Sequence, residues 1–270
     1  MVNLIPLPIR KVLGNWWHAK QERKRHTSLL RELSGTGVVC NVCNWEGRVF
    51  TDDTWHPGTI CPVCRSQVRH RMLSAIFDGL SDQPGLDEAS LLEGRDILHF
   101  APERQLRERV AKAASRYTTA DYDRGDCDLQ LDMSDMPQVP ADSLDVVIAC
   151  DVLEHVPCDF SAIKELHRIL RSKGIAILTV PQKDSPSSTD EDSAVTDPIE
   201  RERRFGQKDH VRMYGDDLPE RLESGGFEVR MISEKSFIKE AVKKYVLSPV
   251  TANSNPLATN KRRIYFARKL

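Results

Sequence analysis

From residue 95 onward, short apolar runs alternate with helical periods, and that alternation admits few folds. The runs at 96–100, 117–120, 144–149 and 175–180 have strand length, while 103–114 and 160–170 repeat their apolar residues at helical spacing. Strand, helix and strand in succession predict a parallel sheet with helices on both faces. A polar segment then runs from Gln182 to Asp209, too long for a simple connection, and reads as a lid or binding loop. A helix near 217–223 and strands at 227–232 and 263–268 complete the pattern.

The N-terminal third is organised differently. Cys40 and Cys43 form one C-x2-C pair, Cys61 and Cys64 another, with 17 residues between them. Each pair turns two thiolates toward one centre, and two such turns close a tetrahedron around Zn²⁺ with no position left for water. The spacing therefore predicts a structural zinc ribbon, in a module too short to bury a core without its metal. Free or redox-active thiols are the competing reading, and His56 and His70 are near enough to be spare ligands. The other three cysteines are scattered. An odd count with no export signal argues for reduced thiols and a cytoplasmic protein.

Residues 12–33 read as an amphipathic helix with a basic stripe, ended by Ser34-Gly35-Thr36-Gly37. A further helix is predicted over 66–80. The organisation divides into a basic arm at 1–34, the zinc ribbon at 35–70, a connecting helix and linker at 71–91, and the α/β domain at 92–270. No run is apolar enough for a transmembrane helix. Residues 1–71 carry 11 Lys/Arg against 5 Asp/Glu, the remainder 28 against 35. A basic head on an acidic body could meet RNA, an anionic lipid surface or a phosphorylated substrate, and it reads equally as a solvated tail. Trp16 and Trp17 beside Arg10, Lys11 and Lys20 would suit peripheral membrane contact.

The segment ADSLDVVIACDVLEHVPCDFSAIKELHRILRSKGIAILTVP, residues 141–181, resembles the class I S-adenosylmethionine-dependent methyltransferases: fourth strand, Leu-Glu-His-Val turn, helix, Lys-Gly turn, fifth strand. The resemblance covers roughly 92–268. The cysteine pairs with the following Arg-x-Arg, and His-Phe-Ala-Pro-Glu at 99–103, are similar to a branch of the family that carries a zinc ribbon. The resemblance implies a doubly wound, mostly parallel seven-stranded sheet whose last strand is antiparallel, with S-adenosylmethionine bound beyond the strands' carboxyl ends. Asp121, after the second strand, would hold the ribose hydroxyls. Asp132 and Met133, after the third, would hold the adenine. Asp151, after the fourth, would begin the turn that carries Glu154 and His155 to the methionine end. Taken alone, Asp121 and Asp132 read equally as turn residues or caps. After the first strand the family has an acid and a glycine-rich loop; here His99, Ala101 and Glu103 take those places, with Glu103 the candidate partner of the methionine ammonium.

Asp209, His210, Arg212 and Tyr214 gather acid/base groups, a cation and a phenol within six residues. Methyl transfer needs an aligned nucleophile, exclusion of water and, for a hydroxyl or amine acceptor, a base. His210, oriented by Asp209, is the first candidate base and His155 the second; Arg212 and Tyr214 are candidate substrate contacts. A capping and salt-bridge cluster is the alternative. The sequence as a whole predicts a methyltransferase for a small-molecule or glycan-like acceptor. The second reading is an RNA methyltransferase whose ribbon and arm, through Arg23, Lys24, Arg25, Arg65, Arg69 and Arg71, grip phosphates. The third is a non-catalytic binding protein in which 99–103 marks a lost cofactor site. The oligomeric state is not legible.

Overall fold

Helix α1 spans Leu7–Glu32 and ends against the ribbon, where the Arg48 side chain donates to the Glu32 carbonyl and its backbone N–H to that of Leu33. The computed structural model of the protein describes residues 7–184 and 188–270, with side chains in α1 from Trp17 onward. The side chains of Arg10, Lys11 and Trp16, and residues 185–187 of the long loop, lie outside the described residues. No helix among the described residues is long and apolar enough to cross a membrane.

The ribbon is a two-stranded antiparallel hairpin, β1 (Val38–Val39) on β2 (Glu46–Gly47), with one cysteine pair in each of two tight turns. Asn44 and Arg65, each directly after a pair, adopt positive φ and close those turns, their N–H groups donating to Cys40 and Cys61 carbonyls. Helix α2 (Val68–Phe77) follows at once and is buried along nearly its whole length. The boundary drawn at residues 70 and 71 thus falls inside a helix that belongs to the main core: Met72, Leu73 and Ile76 pack in one cluster with Leu106, Val110 and Ile177.

After α3 (Glu88–Leu91) comes the body: β3 (Asp96–Phe100), α4 (Arg104–Ala113), β4 (Arg116–Asp121), β5 (Leu129–Gln130), β6 (Leu144–Cys150), α5 (Asp159–Ile169) and β7 (Leu170–Thr179). The long loop holds β8 (Asp190–Glu191) and α6 (Pro198–Phe205), then β9 (Arg212–Met213) and α7 (Leu218–Ser224). Strand β10 (Phe227–Ile232), helix α8 (Lys239–Tyr245) and strand β11 (Ile264–Lys269) finish the chain. Seven strands form one sheet in the order β10-β11-β7-β6-β3-β4-β5, parallel except for β11, which runs antiparallel to both neighbours. The strand order therefore reverses between β3 and β6, and a crevice opens beyond their carboxyl ends.

The two-residue period of β3 sorts its side chains. Leu98 and Phe100 join the cluster under α5 and α7, and Ile97 joins the cluster under α2 and α4. His99 shares the face of Ile97 and is fully buried, its Nδ1 2.9 Å from the Tyr117 hydroxyl. It points away from the crevice, which corrects the expectation that His99 meets the cofactor: the strand's own alternation turns it into the core.

Candidate active site

Ala101 turns the chain out of β3 with φ +44°. That is a conformation glycine adopts freely and an alanine only under strain, so the backbone makes the turn of a glycine loop without the glycine. A cleft of about 490 Å³ opens beside it, lined by Asp121, Asp132, Met133 and Asp151 from the next three strand ends. Asp121 Oδ1 accepts the N–H groups of Asp123 and Arg124, and Asp132 Oδ1 accepts the N–H and hydroxyl of Ser134. Both carboxylates are thus held by turns of their own making, with the second oxygen left for a ligand. Met133 is buried beside them.

A second cavity of about 490 Å³ adjoins the first, and Ala101, Asp151 and His155 line both. Its walls come from three distant segments: Trp55 and His56 of the ribbon, Phe205 and His210 from the long loop, and Leu257 and Thr259 ahead of β11. Asp151 stands between the cavities. Burial opposes its charge, but ion pairs with Arg262 (3.0 Å) and Arg69 (3.3 Å) and the Thr179 hydroxyl (2.8 Å) outweigh it and hold its carboxyl well below the usual range. Glu103 faces the same space. Its Oε1 accepts from Arg69 and from His70 Nε2, while Oε2 is buried with no partner. His70 Nδ1 in turn accepts the Gln67 N–H in a capping box, so α2 and the turn after β3 are joined by one chain of hydrogen bonds.

At the far wall Glu154 and His210 are buried and His155 is partly open. The ring centroids of the two histidines are 4.7 Å apart. Burial above all holds His210 below the ordinary imidazole value, so it is neutral at pH 7. Burial and then the charge of Asp151 push the Glu154 carboxyl well above the carboxylate range. Asp209 does not orient His210; it lies 3.2 Å from His155 Nδ1, and His210 Nδ1 donates to the Phe205 carbonyl instead.

Arg212 and Tyr214, expected to meet substrate, face the other way. Met213 lines the cavity, so strand alternation turns its two neighbours inward. Arg212 donates to the carbonyls of Leu153, Val156 and Pro157 and pairs with Glu191, and the Tyr214 hydroxyl donates to Asp159. Together they clasp the turn that presents Glu154 and His155. Arg262 and Arg69 are the cations that sequence reasoning leaves out of this site, because their partners lie on remote segments. Arg71 is likewise no phosphate contact: it is fully buried and donates to the carbonyls of Thr59, Ser66, Tyr245 and Val246, over the ring of Phe50.

The cysteine sulfurs fit a zinc ion. Cys40 Sγ lies 3.6 Å from Cys64 Sγ and Cys43 Sγ 3.7 Å from Cys61 Sγ, and the four lie within 4.8 Å of one another. Four thiolates at about 2.3 Å from one ion would stand about 3.8 Å apart. The Ser66 hydroxyl, 3.1 Å from Cys40 Sγ, supplies a hydrogen bond to the cluster.

Residues 95–178 match the family model described as a methyltransferase domain. The matched segment runs from the start of β3 nearly to the end of β7, and it supports a methyltransferase that uses S-adenosylmethionine while leaving the acceptor open. No curated protein matches the chain. Among solved structures it is similar to the YcgJ protein of Bacillus subtilis, at 13% identity and a TM-score of 0.48, with 74% of this chain and 98% of that one covered. It is also similar to an S-adenosylmethionine-dependent methyltransferase of Mesorhizobium loti (15%, TM-score 0.45, 66% and 92% covered). A third is the 1,6-didemethyltoxoflavin-N1-methyltransferase of Burkholderia thailandensis (15%, TM-score 0.44, 75% and 87% covered).

Proposed function

We propose that the protein is an S-adenosylmethionine-dependent methyltransferase acting on a small-molecule or glycan-like acceptor. The observation that carries this reading is the cleft beyond the switch point, where Asp121, Asp132, Met133 and Asp151 line one wall in chain order inside the segment that matches the methyltransferase model. Asp121 would hold the ribose through its free oxygen, Asp132 and Met133 the adenine, and the unpartnered Oε2 of Glu103 the ammonium group. The positive φ of Ala101 supports close approach of the cofactor to the backbone, and so supports a working cofactor site over a lost one. When bound, S-adenosylmethionine supplies an electrophilic methyl group on sulfur.

The second cavity would take the acceptor. It is walled by ribbon, long loop and C-terminal segment, a shape that favours a small guest. His210, neutral and with a free Nε2, would accept a proton from a hydroxyl or amine, with His155 and Asp209 next to it. The RNA reading loses support from the pairing of Arg69 and the burial of Arg71. Calorimetry tests the proposal: the protein should bind S-adenosylmethionine, and Asp121→Ala should weaken it by about 1.5–3 kcal/mol, the worth of a charge-assisted hydrogen bond. No binding by the unmodified protein at millimolar cofactor would sink it.

A further inference from the structure

Glu154, His155 and His210 carry donor atoms that lie within 4.8 Å of one another. Glu154 is 1% exposed, and neither of its carboxylate oxygens has a hydrogen-bond partner. His210 is 2% exposed; its Nδ1–H is spent on the Phe205 carbonyl, so the lone pair sits on Nε2, which is buried and also without a partner. His155 has Nδ1 beside the Asp209 carboxylate, which favours the same tautomer and leaves its Nε2 lone pair free. Buried polar atoms are nearly always partnered, and the orphaned Glu154 carboxylate and His210 Nε2, gathered beside His155, call for an occupant.

We propose that Glu154, His155 and His210 bind one divalent cation at the inner wall of the second cavity, separate from the zinc of the cysteine turns. Two imidazoles and one carboxylate suit a first-row transition ion such as Mn²⁺, Co²⁺ or Zn²⁺. Three protein ligands leave positions open, in contrast to the closed four-sulfur site. The supporting groups are those metal ligands usually have: a carbonyl on His210, a carboxylate on His155, and a rigid turn under Glu154. Arg212 fixes that turn through three carbonyls, and the Val211 N–H donates to the Glu154 carbonyl. Arg69 and Arg262 stand nearby, but Asp151 and Glu103 offset their charge.

The open positions face the cavity and would take oxygen atoms of the acceptor. A hydroxyl bound there would lose its proton to water more readily, so the cation would replace His210 as the group that makes the acceptor nucleophilic. That role rests on the methyltransferase reading; the binding site does not. Mn²⁺ tests it, because a hard ion does not displace zinc from thiolates. Titration of zinc-loaded protein, followed by the electron paramagnetic resonance of free Mn²⁺, should show one bound ion per chain. Glu154→Gln and His210→Gln should each weaken it at least tenfold, with the zinc content of the folded variants unchanged. If either variant fails to fold, His155→Gln, at a partly exposed position, serves in its place and should weaken Mn²⁺ by the same factor. No Mn²⁺ bound at millimolar concentration, or binding unaltered in the folded variants, overturns the proposal. Parallel calorimetry with S-adenosylmethionine keeps the two ideas apart: Mn²⁺ bound without cofactor leaves the cation site standing and removes the methyltransferase, and the converse result does the opposite.

Discussion

The two adjoining cavities are built in opposite ways. The cleft that holds Asp121, Asp132 and Met133 is assembled from successive strand ends, and its carboxylates are fixed by turns two or three residues long. The second cavity is assembled from the ribbon, the long loop and the segment before β11, and its charged groups are held by partners far away in the chain. On the first side Asp121 and Asp132 depend only on their own turns, so a change of either stays local. On the second side, binding surface and structural joint are the same residues, so a change there acts on stability before it acts on a ligand.

Disrupting the cysteine cluster, or stripping a zinc that it would hold, should separate the two sides most sharply. Metal binding in such small modules is folding free energy, about 10–16 kcal/mol in isolated zinc-finger peptides. Chelation, or Cys40→Ser, should abolish hydrogen-exchange protection over 38–66 and open the second cavity, while S-adenosylmethionine affinity changes less than tenfold. Protection that survives zinc loss, or cofactor binding that collapses with it, would break the distinction. Next in size is Arg71. Arg71→Met removes a donor from four carbonyls, of which only that of Ser66 keeps another, the Cys61 N–H, at a cost of about 3–5 kcal/mol in urea unfolding. A loss below about 1 kcal/mol, the net worth of a single hydrogen bond, would mean that ribbon and body are not joined there.

The smallest effect concerns β3, which feeds both cavities. Burial brings His99 down to about 4, against an ordinary value of 6.5. Between those values the unfolded chain binds a proton that the folded one refuses, so stability is complete above pH 6.5 and falls as pH drops toward 4. The total is about 3 kcal/mol. His99→Gln, which can still bond the Tyr117 hydroxyl, should flatten that limb in urea midpoints measured from about pH 7 to about pH 4.5. Equal slopes for the two proteins would place the acid sensitivity elsewhere.

What can be read from the sequence follows the same division. The cysteine turns and the acids after β4 and β5 are local devices, and spacing exposes them. The β3 and β10 ranges agree with the runs at 96–100 and 227–232 because their apolar content is dense. Helix α6 escapes notice inside a polar loop, although Asp197 caps it, Pro198 opens it and Gly206 closes it with φ +96°. Arg212 and Tyr214 draw attention by composition alone, and only the register of β9 shows which way they face. Pairs such as Asp151 with Arg262, or Arg71 with the Tyr245 carbonyl, leave no trace in a single sequence, since nothing local links residues so far apart.

The joint at Arg71 also dictates an order of events. Its acceptors on Tyr245 and Val246 lie 174 and 175 residues downstream, and His56 meets Asn260 across 204. During synthesis the ribbon leaves the ribosome well before residues 245 and 246, and Arg71 must wait for them before its last partners arrive. Closing such long loops is slow and exposes apolar surface in the interval. Truncation ahead of Tyr245 should therefore be felt first at the cysteine module, as a folded ribbon that cannot dock.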